Sequence, residues 1–107
     1  MSYFHFIRQP DINMGVTLFH NTEDALLMDV RTAQEFQAGH IPGSVNLPLV
    51  LLDNADEIIE NEDTPIFVYC QSGSRSRQAV ARLAAMGYSN VKNIGGISAW
   101  IGEVERK

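Results

Sequence analysis

"PIFVYCQSGSRSRQAVARLAAMG", residues 65–87, is the stretch on which the fold reading turns. Pro65 opens a short run of β-branched and aromatic residues that ends at Cys70. Such a continuous apolar run is the pattern of a strand buried on both faces. Residues 71–75 are small, hydrogen-bonding or cationic, and Gly73 permits a positive φ. From Ser76 to Met86, Ala79, Val80, Leu83 and Ala84 recur at helical spacing, and Gly87 stops the pattern. The stretch therefore predicts strand, tight bend and helix. The only cysteine of the chain stands at the strand's end.

The same alternation extends to both sides. Upstream, "DINMGVTLFHN" (11–21) predicts a first helix, and "ALLMDV" (25–30) a strand buried on both faces. "TAQEFQAG" (32–39) reads as a short helix, with Thr32 and Glu35 spaced as a capping box. "GSVNLP" (43–48) reads as a short strand. In "VLLDNADEIIEN" (50–61), Leu51, Leu52, Ala55, Ile58 and Ile59 predict an amphipathic helix. Downstream, "NVKNI" (90–94) predicts a last strand, Gly95-Gly96 a turn, and "ISAWIGEVE" (97–105) a final helix. Strands alternating with helices imply an α/β fold with a parallel sheet covered on both faces. Right-handed crossovers then bring the strand C-termini, Cys70 among them, to one edge, where α/β folds bind ligands.

The chain has 107 residues, one domain's worth (1–107), and 45% are hydrophobic, enough for a core. No run approaches the ~20 apolar residues of a membrane span. The start, "MSYFHFIRQPD", lacks a basic segment leading into an apolar one, and nothing in it marks the chain for secretion. One cysteine forms no internal disulfide, so the expected setting is reducing and cytoplasmic. A net charge of -5 argues against nucleic acid as partner. Residues 1–63 hold eleven of the thirteen acids, with only Arg8 and Arg31 as bases. Residues 64–102 hold no acid but carry Arg75, Arg77, Arg82 and Lys92. A thiolate, or an anionic substrate beside it, is stabilised in such surroundings.

In a bend such as 71–75, successive N–H groups can converge on one point, and a helix N-terminus adds roughly half a positive charge. A thiol held there is expected to ionise more readily than usual and to act as a nucleophile. The competing reading of the same position is a buried structural cysteine. The polar and glycine residues crowded after Cys70 favour the nucleophile, since a structural strand end has no need of them.

With these residues in place, the loop C-Q-S-G-S-R-S resembles the active-site loop of the rhodanese family of sulfurtransferases. "LMDVR" (27–31) with Glu35, "AGHIPGSVNLPL" (38–49) and "NIGGISAW" (93–100) are similar to three further family elements, in family order from about Leu26 to Trp100. The resemblance implies a single rhodanese-like domain: a five-stranded parallel sheet with helices on both faces. It implies that Cys70 carries a sulfane sulfur as a persulfide. Gln71, Ser72, Gly73, Ser74, Arg75 and Ser76 would then form the substrate-binding cradle. The implied donor is thiosulfate or a persulfide, the acceptor a thiol or cyanide, and no metal or organic cofactor takes part. Arg75 makes the loop C-x4-R. Cysteine phosphatases use C-x5-R, a longer loop that cups phosphate. Two departures concern the donor. Thiosulfate-using vertebrate members carry a Lys where this chain has Ser72, and an Arg where it has Glu35, which leaves Arg75 as the cation expected to meet an anionic donor.

Asp29, Arg31 and Glu35 could be read as an acid–base set. Arg and Glu four apart usually pair, so a structural brace at the active edge is the expected role, with an Arg31–Glu35 pair at its centre. His40, in G-H-I-P-G, is expected to be a hydrogen-bonded turn residue. His5, His20 and His40 show no metal spacing. Gly95-Gly96 are expected to let backbone approach the Cys70 loop, and Trp100 to anchor the core. Two other functional classes compete: a small cysteine phosphatase or arsenate reductase, and a catalytically silent binding module. The C-x4-R spacing and the lack of a second cysteine weigh against the first, the intact Cys70 against the second.

Overall fold

The computed structural model describes residues 10–107; His5 and Arg8 lie outside them. Four strands, β1 (Leu26–Asp29), β2 (Val45–Asn46), β3 (Ile66–Cys70) and β4 (Val91–Gly96), form one parallel sheet in the order β2-β1-β3-β4. The five strands implied by the family resemblance are therefore four among the described residues. The reason lies in the sequence: from Pro10 onward only four runs have strand character, and each is used once. β3 is buried along its whole length, as expected of a central strand packed on both faces.

Three α-helices, α1 (Ile12–His20), α2 (Ala33–Ala38) and α3 (Ser74–Ala85), accompany the sheet. Asp11 caps α1 by accepting from the Asn13 and Met14 amides at 3.0 and 3.4 Å. On one face, α3 and a 3-10 segment (Leu49–Glu57) pack over Met28, Val68 and Ile66 through Leu83, Ala79, Leu52 and Ala55. On the other face, Ile12 and Val16 of α1 meet Leu27, Phe67, Tyr69 and Ile94, with Trp100 packed against them. α2 has no buried residue and follows β1 directly, at the carboxyl edge.

Three local expectations fail. Of the 50–61 segment, only residues up to Glu57 are helical, in a 3-10 helix; Leu52, Ala55 and Ile59 are buried, whereas Leu51 and Ile58 are exposed. A three-residue spacing of inward positions suits three residues per turn. β4 does not stop at Ile94 but runs through Gly96, with a register shift where Val68 faces Asn93 and Tyr69 faces Gly95. Beyond it there is no long final helix. Ile97–Ala99 make one 3-10 turn, the Trp100 indole N–H donates to Glu103 O at 2.9 Å, and Glu105 pairs antiparallel with His40.

Candidate active site

Cys70 ends β3 at the carboxyl edge and is 1% exposed. The chain then turns through Gly73, whose φ of 99° is the left-handed conformation that favours glycine, and α3 begins at Ser74. This turn carries the Gly73 N–H back onto Cys70 Sγ at 3.0 Å. The hydroxyl of Ser76, fully buried on the first turn of α3, lies 3.4 Å from the same sulfur. Burial pushes the Cys70 thiol up. The Ser76 hydroxyl and the Ser76, Gly73 and Ser72 amides more than offset it, and the thiol lies below its ordinary value. Gly96 supports the loop from β4: a Cβ there would meet Gln71 O and come within 2.6 Å of Ser72 Cα. The expectation that backbone approaches the loop at this point holds for both glycines, since a Cβ on Gly73 would lie 3.5 Å from Gly95 Cα.

The acidic and basic residues singled out in the sequence are brought together, but paired otherwise than expected. Arg31 does not pair with Glu35. Its guanidinium grips Asp29, two residues earlier, at 2.7 Å, and donates to Gly39 O at 2.7 Å and Gln71 Oε1 at 3.4 Å. Both ends of the Asp29–Arg31 pair are buried. The Asp29 carboxylate also accepts the Arg31 amide at 2.9 Å, just past the strand end, whereas Glu35 lies on α2 and meets α3 through Arg75. Glu35 instead takes Arg75 in a two-pronged pair at 2.8 and 3.0 Å. It also closes the capping box with Thr32. The Arg75 ion pair, with burial opposing and Thr32 helping, holds the Glu35 carboxyl at about 2. Arg75, the cation expected to meet the donor, has its charge directed at Glu35.

Other residues of the site lie within the quoted stretches but are not singled out by spacing or residue type. Asn93 on β4 accepts from Ser76 Oγ at 2.7 Å and from the Gly95 amide at 3.0 Å, and donates to Gly73 O at 3.2 Å. Asn46 donates to Asp29 O and Arg31 O, both at 2.9 Å, holding the start of the β1–α2 connection. The Tyr69 hydroxyl accepts from the Ile41 amide at 3.1 Å and ties the G-H-I-P-G turn to β3. The available signal was polarity out of place: an Asn within a strand otherwise apolar on its inner face. His40 is hydrogen-bonded as expected, with its ring Nδ1 2.8 Å from Phe36 O and its ring stacked on that of Phe36, but it lies in the bridge to Glu105 and the turn follows at Pro42–Gly43.

Beside the loop lies a pocket of about 530 Å³ lined by Ser72, Ser74, Arg77, Asn93, Gly96 and Ser98. Arg77, on the first turn of α3, forms no ion pair among the described residues. No group of three or more His, Cys, Asp or Glu able to hold a metal ion occurs among them, and no helix is long and apolar enough to cross a membrane.

Comparison with known proteins agrees with the order of these elements. A family model described as the rhodanese-like domain matches residues 17–103. A protein named sulfurtransferase from Allochromatium vinosum is 45% identical over 82 residues, covering 75% of each chain. The thiosulfate sulfurtransferase GlpE of Pseudomonas savastanoi pv. phaseolicola is 42% identical over 83 residues, 73% of this chain and 74% of that one. Some other relatives are longer, and the chain spans only 22% and 21% of two of them. Among solved structures, the rhodanese-like domain of the Alr3790 protein from Anabaena sp. superposes with a TM-score of 0.79 at 27% identity, covering 95% of this chain and 81% of that one. The match to residues 17–103 takes in the Cys70 loop, the Asp29–Arg31 edge and the Gly95-Gly96 strand end alike, and the chain belongs to the rhodanese-like domain family.

Proposed function

We propose that this protein is a sulfurtransferase that moves a sulfane sulfur from a donor such as thiosulfate to a thiol or cyanide acceptor through a persulfide on Cys70. The observation that carries the reading is the donor set on one buried sulfur, with the Gly73 amide at 3.0 Å and the Ser76 hydroxyl at 3.4 Å. In the first step the Cys70 thiolate attacks the outer sulfur of thiosulfate. An S–S bond forms on Cys70, the S–S bond of the donor breaks, and sulfite leaves with its electron pair. In the second step an acceptor thiolate or cyanide attacks the outer sulfur, and Cys70 departs as thiolate. Sulfur bears negative charge at each stage, and preorganised N–H and O–H donors stabilise it without reorganisation. Support for thiosulfate comes from the likeness to GlpE. The loop residues Gln71 to Ser76 form the cradle, and Asp29, Arg31 and Glu35 brace it. No metal or organic cofactor enters either step.

The test is intact mass after incubation with thiosulfate, followed by cyanide. One added sulfur that cyanide removes as thiocyanate is the expected result. An unmodified protein that remains folded would return the chain to the binding-module class.

A further inference from the structure

Ser76 has one hydroxyl proton and three acceptors around it: Asn93 Oδ1 at 2.7 Å, Cys70 Sγ at 3.4 Å and Gly95 O at 3.5 Å. The hydroxyl is fully buried, so no solvent supplies a second donor. The short contact goes to Asn93. That oxygen is held in place from two sides, by the Gly95 amide at 3.0 Å and through Asn93 Nδ2, which donates to Gly73 O at 3.2 Å. The register shift between β3 and β4 lies at this point, leaving Asn93 opposite Val68, whose side chain packs on the α3 face. A bulge that re-aims a side chain beside an active site is a recurrent device.

We infer that Asn93 is a positioning residue for Cys70: it holds the Ser76 hydroxyl proton while the sulfur is a thiol and yields it when the sulfur becomes anionic. The inference rests on Cys70 being the reactive sulfur of the proposed reaction. No covalent bond changes at Ser76 or Asn93; the O–H only rotates, and the thiol proton goes to solvent. Each ionisation of Cys70 thus exchanges the 2.7 Å bond for one to sulfur, and Asn93 restrains the acidity that Ser76 confers. The charged groups around the sulfur are Arg75 from α3, Glu35 from α2, and the Asp29–Arg31 pair at the end of β1, with Arg77 of α3 lining the adjoining pocket. Lys92 on β4 is exposed. None of these is bonded to Asn93, and all stay in place in the variants below.

The experiment is the pH profile of Cys70 alkylation by iodoacetamide in the full chain, which reads the thiol and not turnover. Ser76→Ala should slow alkylation near neutral pH about threefold to tenfold, the net worth of one typical hydrogen bond. Asn93→Ala should act the opposite way, speeding it by a similar factor, because the hydroxyl is freed for the sulfur. In a Ser76→Ala background, Asn93→Ala should change nothing, since the cycle isolates the Ser76–Asn93 coupling. Asn93→Asp keeps the side chain's shape and should slow alkylation, and more with Ser76 present than without. An Asn93→Ala effect that is absent, or is the same with and without Ser76, overturns the inference, as does an Asn93→Asp effect that ignores Ser76. Thiocyanate formation measured alongside separates the two ideas: loss of turnover with the predicted alkylation pattern leaves the proton switch standing and removes the sulfur-transfer reading.

Discussion

The two flanks of Cys70 are made from different chemistry. On the α2 side stand the charges: Asp29 with Arg31, and Glu35 with Arg75. They are matched one to one, and Arg31 donates further to Gly39 O and Gln71 Oε1. On the β4 side stand an amide, a hydroxyl and a carboxamide, from Gly73, Ser76 and Asn93; the amide and the hydroxyl meet the sulfur, and the carboxamide holds the hydroxyl from behind. The contrast assigns separate duties. On the reading proposed above the paired charges brace the loop, the buried Asp29–Arg31 pair above all, because breaking it leaves an uncompensated ion. Neutral dipoles meet the sulfur, because they can stabilise an anion that comes and goes without themselves costing an ion's desolvation.

The sharpest attack on the neutral flank removes what it serves. Cys70→Ser should reduce thiocyanate formation to background while far-UV CD stays native, since serine fits the space and forms no persulfide. Retained turnover in a folded variant would falsify the mechanism. Next in size is Gly96→Ala, which drives a methyl into the backbone of Gln71 and Ser72. It should displace the loop, cutting kcat/KM at least about tenfold, with a stability loss of about 1–3 kcal/mol in urea titrations. A loss of stability with unchanged kcat/KM would show that the loop tolerates the shift.

Smaller effects belong to the cations. Arg77→Ala should raise KM for thiosulfate a few-fold at low ionic strength, an effect that fades as salt is added. Arg75→Ala should act mainly on stability, because its charge already faces Glu35. If instead Arg75→Ala raises KM more than Arg77→Ala, the charged flank takes part in donor binding and the division of duties fails.

The smallest effect is that of the partly exposed Glu35–Arg75 pair, and pH reads it. The Glu35 carboxyl is lowered from 4.5 to about 2 in the folded chain. The folded state therefore binds this proton less readily than the unfolded state. The pair's contribution is complete above about 4.5 and is lost as pH falls toward 2. Glu35→Gln should remove that part of the acid dependence while costing about 0.2–1 kcal/mol at neutral pH, the range for exposed pairs. A denaturation-versus-pH curve identical to wild type over this interval would show that the Glu35–Arg75 pair does not form in solution.

The strands and α3 were legible because burial on both faces leaves unbroken apolar runs such as Ile66–Tyr69, and because a helix packed on a sheet repeats its inward residues, as Ala79 and Leu83 do. Thr32 and Glu35 announced their capping box through local spacing alone. The 3-10 segment was not legible as such, since over nine residues a period of 3.0 and one of 3.6 select nearly the same apolar positions. Nor was the tail after Ala99, whose conformation depends on His40 accepting and returning the Glu105 backbone bonds, both at 2.8 Å.

Residue types and short-range spacing were enough for the α/β class, for the place of Cys70 at a strand end, and for the bend that turns amides toward it. Those features follow from φ/ψ preferences, periodic burial and the orphan N–H groups of a helix start, all of which act within a few residues. The partners of the charges were a different matter. Arg31 takes Asp29, and Glu35 reaches forty positions along the chain to Arg75. Asn93 meets Ser76 from a strand that follows the helix. Hydrogen bonds and ion pairs form between groups that are near in space, and distance along the chain carries no information about that proximity until the sheet order β2-β1-β3-β4 sets it.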